Sequence, residues 1–116
     1  MTREEILNRW DGMKPWERDS WIFYDVLGRM PLDTAPNEYG GFGTIPKYTQ
    51  DISAAWEVEE RMNADELFWR YTNHVKKLLL SKMSEGVNEY DMMHAPPEIR
   101  CKAALLAVLA VLGEEE

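Results

Sequence analysis

Five segments of this chain carry apolar residues at the three-to-four-residue interval of a helix. "MTREEILNRWDG" opens with Thr2 and Glu5 at capping-box spacing, and Ile6, Leu7 and Trp10 form one stripe before Gly12, which is placed to supply a left-handed stop. "KPWERDSWIFYDVLG" predicts a second helix, with Pro15 in its first turn, Glu17 and Asp19 near the positive end of the dipole, and Trp16, Phe23, Tyr24 and Leu27 on a shared face ending at Gly28. In "KYTQDISAAWEVEERM", Thr49 is the expected cap and Asp51 falls in the first turn. Ile52, Ala55, Trp56 and Met62 then recur at helical spacing, so Trp56 is expected to anchor a docking helix beside the small Ala54 and Ala55.

Asn63 and Glu66 repeat the capping spacing ahead of a fourth helix, Glu66 to Met83. Its stripe is Leu67, Phe68, Tyr71, Val75, Leu78 and Leu79, with His74 assigned to the surface and Lys76, Lys77 and Lys82 near the negative end. Gly86 breaks the pattern, and "VNEYDMMHAPPE" reads as a connector in which the His94 ring could cap the final helix. Pro96 and Pro97 start that helix, Glu98 to Leu112, which is apolar on nearly every face from Ala103 onward. Such a helix belongs at the centre of the domain or between protomers. The expected fold is therefore mainly α, a compact helical bundle forming one domain over residues 1–116, with α+β and a small sheet as the alternative.

Between the second and third helices lies "RMPLDTAPNEYGGFGTIPK", rich in proline and glycine. A loop this long inside a small domain is uncommon, and such loops are often functional. Tyr39, Phe42 and Tyr48 flank it together with the cations Arg29 and Lys47, a set suited to stacking on a base or docking a partner, or to closing over the core as lids. These five residues are the candidate binding site.

Charge narrows the choice of partner. The formal net charge of -8 opposes a phosphate backbone, so direct nucleic-acid binding is not expected, while a basic protein surface would be attracted. The run Ala103 to Leu112 is about half of the roughly 20 residues a membrane span needs, so no membrane association is expected. Cys101 is the single cysteine, which rules out an intrachain disulfide, and nothing resembles a secretory or transit signal, so a cytoplasmic setting is expected.

Chemistry is harder to find. His74 and His94 fall on different elements, without the spacing of a zinc site. The nucleophile elbow, the Walker pattern and the dinucleotide fingerprint are missing, and "GGFG" at Gly40 to Gly43 precedes Pro46 where a phosphate site would need a helix start. Cys101 lies in apolar surroundings, where thiols are usually inert. Carboxylate pairs such as Glu57/Glu60 and Asp19/Asp25 read as solvated faces. No catalytic residue, metal ligand or cofactor is assigned, and the chain is not expected to be an enzyme.

Three segments in order, "ERDSWIFYDVLG", "YTQDISAAWEVEERM" and "APPEIRCKAALLAVL", resemble the signature segments of the phage ABA-sandwich domain family, small proteins of phages and prophages of Gram-positive bacteria. Asp19, Val26 and Gly28 match the first signature, Tyr48, Asp51, Ile52, Ala54, Ala55, Trp56, Glu57 and Val58 the second, and Ile99, Cys101, Ala103, Ala104 and Leu105 the third. Family members usually carry strand-like segments between the second and third, where this chain has the helical pattern Glu66 to Met83. The resemblance implies a phage context and a host-cytoplasm setting, with no catalytic motif to carry over. Small non-enzymatic accessory proteins of phages often act by binding and blocking a host component, so the expectation is an inhibitor of a host defence protein. The alternative is a sponge for a nucleotide-type small molecule, and behind it a hydrolase of such a signal. A homo-oligomer formed through the 98–112 helix is the further expectation.

Overall fold

The computed structural model describes residues 1–29, 45–82 and 86–110. They form α1 (Arg3–Asp11), α2 (Pro15–Trp21) continuing into a π-helical turn (Ile22–Val26), α3 (Ile52–Ala64), α4 (Phe68–Leu80), α5 (Glu89–Met93) and α6 (Pro97–Leu109). The fold is mainly helical, with no strand among the described residues.

α6 is the axis on which the rest packs. Ile99, Cys101 and Ala103 to Ala107 are all buried, and α1, the π-turn, α3 and α4 lie against it. A helix apolar around its whole circumference must be covered on every side, and here the chain's own elements cover it. Nothing along Ile99 to Ala107 therefore requires a second protomer. α3 packs against α6, and the small side chains Ala55 of α3 and Ala103, Ala104 and Ala107 of α6 are all buried.

α1 begins as its sequence dictates, with the Thr2 hydroxyl accepting from the Glu5 amide at 3.1 Å and the Glu5 carboxylate accepting from the Thr2 amide at 3.3 Å. Ile6 and Trp10 are buried. Gly12 ends the helix in the right-handed region at φ -85°, so the expected left-handed stop is not there. It occurs at Gly28, whose φ of 63° suits a residue without Cβ and lets the Arg29 amide reach back to the Phe23 carbonyl at 3.0 Å.

The π-turn changes which residues of the second helix face inward. The Leu27 amide donates to the Ile22 carbonyl at 3.0 Å, widening the turn by one residue. Trp21, Ile22, Phe23, Val26 and Leu27 are buried together, a broader arc than a regular helix presents. Trp16 and Tyr24, expected on that face, are exposed.

α3 and α4 also differ in detail from the expected pattern. Asp51 caps α3, accepting from the Ser53 amide at 2.9 Å, and the inward stripe is Ala55, Val58 and Met62. Trp56 is 53% exposed and anchors nothing in the core. α3 runs on to Ala64 and turns sharply into α4 through Glu66 at φ 60°, so the Asn63/Glu66 capping box does not form. On α4 the core stripe is Tyr71, His74, Val75, Leu78 and Leu79, which places His74 inside and Phe68 at the surface, against expectation for both. The connector contains a helix of its own, α5, capped reciprocally by Asn88 and Asp91.

Leu105 is completely buried near the middle of α6. Leu105→Asp should remove about 4 kcal/mol or more, enough to abolish the folded state of a domain this small. The check is a denaturant melt followed by circular dichroism: no cooperative transition is expected, and a native-like transition would mean that α6 is not the core.

Candidate functional site

Two groups of residues have the character of sites, one buried and one open. In the buried group, positions 19, 22, 23 and 26 form one inward stripe, and the first of them is a carboxylate. Asp19 is 5% exposed and accepts from both the Thr49 amide at 2.9 Å and the Thr49 hydroxyl at 2.8 Å. From α6, the Cys101 thiol donates to the Tyr48 carbonyl at 3.2 Å. These bonds hold the turn before α3 against α2 on one side and α6 on the other. Burial, reinforced by the charges of Asp19 and Glu98, pushes the Cys101 thiol well above its usual range, so it remains a protonated donor. The cluster joins residues from all three signature segments, and its hydrogen bonds tie those segments together.

The expected loop site comes together only in part. Tyr39 and Phe42 lie outside the described residues. The Tyr48 side chain is completely buried, which removes it from any surface stacking role. Burial first, then the Glu57 carboxylate, pushes its phenol up to about 12. Arg29 is partly exposed and ion-paired with Glu57. Lys47 is exposed and lines a hollow with Trp16, Ile45 and Gln50, on a different part of the surface from the open group.

The open group is a groove of about 320 Å³ between α3, α4, α5 and the start of α6. Trp56 and Phe68 stand on its rim, 53% and 41% exposed, Tyr71 and Val75 line its interior, and Met92 and Met93 close the α5 side. Arg100 builds this wall. It is buried, donating to the Ala95 carbonyl at 2.9 Å, the Met93 carbonyl at 2.6 Å and the Glu59 carboxylate at 2.9 Å. A buried cation needs such a set of acceptors, and here they fix α5 and α3 together. The Tyr71 hydroxyl is buried beside this pair without a well-formed hydrogen bond among the described residues, and burial followed by the Glu59 charge raises its pKa.

Sequence reasoning passed over this groove because its walls come from residues expected elsewhere, Trp56 and Phe68 in the core and the two methionines in a connector. The available signal was Arg100, a cation in the first turn of a helix that is apolar from Ala103 onward. Among the described residues, no cluster of His, Cys, Asp and Glu could hold a metal ion, and no helix is long and apolar enough to cross a membrane.

A family model described as the phage ABA sandwich domain matches residues 10–105. No curated protein and no solved structure matches the chain.

The Tyr48 phenol generates a pH dependence. Its pKa is raised in the folded state from 10.0 to about 12, so the stability it contributes is intact below pH 10 and is lost as pH rises through 12. Its hydroxyl has no hydrogen-bond partner among the described residues. Tyr48→Phe should then be at least as stable as the parent at neutral pH and lose about 2 kcal/mol less across that alkaline range. Urea melts at a series of pH values test this. A variant destabilised at neutral pH, or one with an unchanged alkaline limb, would contradict it.

Proposed function

The chain belongs to the phage ABA sandwich domain family, and on that footing we propose that it acts by stoichiometric binding, docking a host defence protein in the groove between α3, α4 and α5 and blocking it. The observation that supports this is the exposure of Trp56, Phe68 and Met93 around one groove on a rigid helical frame. Large aromatic residues left in water at the rim of a preformed apolar groove have the makings of a binding hot spot, since docking removes their surface from water without first ordering them. A host-cytoplasm setting goes with this reading.

The same rings could enclose a nucleobase, which keeps a nucleotide sponge as the second reading. Glu59 and Glu60 stand beside Trp56 and Phe68, and their charge would oppose the phosphates of such a ligand. That weighs for a protein partner, and against turnover of a nucleotide signal.

Trp56 is half-exposed, so Trp56→Ala should change stability by less than about 1 kcal/mol, whereas a core Trp truncation removes about 3–5 kcal/mol. The Trp56→Ala/Phe68→Ala double variant, still folded, should bind at least about 100-fold more weakly than the parent to the host protein that the parent captures from infected cells. Titration calorimetry on the recovered pair measures it. Undiminished affinity would move the site elsewhere, and conversion of more than one equivalent of any ligand would make the protein an enzyme.

A further inference from the structure

The groove has a neighbour that makes its chemistry more specific. A second hollow of about 450 Å³ shares Trp56, Glu59 and Phe68 with it and adds Glu60 and Asn63. On α3, positions 56, 59, 60 and 63 follow the i, i+3, i+4, i+7 spacing, so one face of this helix presents an indole followed by two carboxylates and an amide. Phe68, from α4, is the aromatic opposite number in both hollows.

The local charges show what such a face would take. Arg100 is enclosed by its contacts with Ala95, Met92, Met93 and one oxygen of Glu59. Glu59 is half-buried and paired with Arg100, and the Glu60 carboxylate beside it is exposed, in a chain whose net charge is -8. An indole next to carboxylates attracts a cation twice, through the ring quadrupole and through the charge. The apolar groove alongside suits an uncharged side chain, and the flexible methionine walls can adapt to its shape.

We propose that the two hollows together recognise a basic segment of a protein partner: an arginine or lysine side chain lies over Trp56 with its charge on Glu60 and Glu59, and an apolar side chain nearby in the same segment enters the groove between Tyr71, Val75 and Met92. This rests on the groove's being the binding surface, and adds the chemistry of what enters it. Arginine suits the place better than lysine, because its planar guanidinium stacks on a ring while keeping its edge free to donate to a carboxylate.

The test is selection from a library of random short peptides on the parent protein, counter-selected on Trp56→Ala, with affinity then measured for the selected peptides. Enriched peptides should pair arginine or lysine with a large apolar residue close by. Their affinity should fall about tenfold or more with the exposed-site substitution Glu60→Lys, and by a lesser factor with Glu60→Gln and with added salt. Enrichment of uncharged or acidic peptides, or indifference to Glu60→Lys in a variant of parental melting temperature, would overturn the proposal while leaving the groove as the binding surface. Failure to enrich any peptide over the Trp56→Ala pool would overturn it as well. Loss of the broader reading would look different, as a host partner whose affinity ignores both Trp56 and Phe68.

Discussion

A single buried carboxylate sets the register of the helix that carries the aromatic face. Asp19 sits where an apolar residue would complete the inward stripe of α2, and Thr49 supplies it with two donors. Hydrogen bonds to a charged acceptor contribute about 1.5–3 kcal/mol each, and a buried carboxylate without them would be strongly destabilising. The turn at 48–50 is consequently held in one place, and the thiol of Cys101 fastens the same turn to α6. α3 starts at its Asp51 cap directly after this fixed point, so Ala55, Val58 and Met62 turn inward and Trp56 turns to water.

The other wall of the groove depends on a second buried charge. α5 has only five residues, too few for a helix to persist in water without tertiary support. Arg100 gives that support by taking the carbonyls of Met93 and Ala95 while its opposite edge reaches Glu59 on α3. Stability and the shape of the groove are linked in this way, since the buried charges that hold the helices in register also shape the space they leave between them.

The parts of this arrangement that sequence revealed are those set by local pattern. The cap of α1, the period of α4 and the all-round apolarity of α6 each depend on neighbouring residues, and each is found in the structure. The errors arose where long-range contacts overruled a local preference. Thr49 is a good cap, yet its hydroxyl serves Asp19; Trp56 is the largest residue of its segment, yet it is Ala55 beside it that is buried. His74 and Phe68 exchange their expected places because the inward face of α4 is set by α6 and not by hydrophobicity alone. The π-turn left no signal in composition, only a buried arc too wide for an α-helix. Of the candidate binding residues, Tyr48 was misplaced for a related reason: it flanks a loop in sequence but belongs to the core turn in space.

The dependence on Asp19 and Thr49 is open to direct measurement by a double-mutant cycle of Asp19→Ala and Thr49→Val in denaturant melts. A coupling of about 1–3 kcal/mol is expected for the hydroxyl–carboxylate bond, because either single substitution removes it, while the backbone amide at position 49 is kept by Thr49→Val and its bond to Asp19 cancels from the cycle. Additivity of the two changes to within about 0.5 kcal/mol would contradict the assignment of this pair as the point that fixes α3.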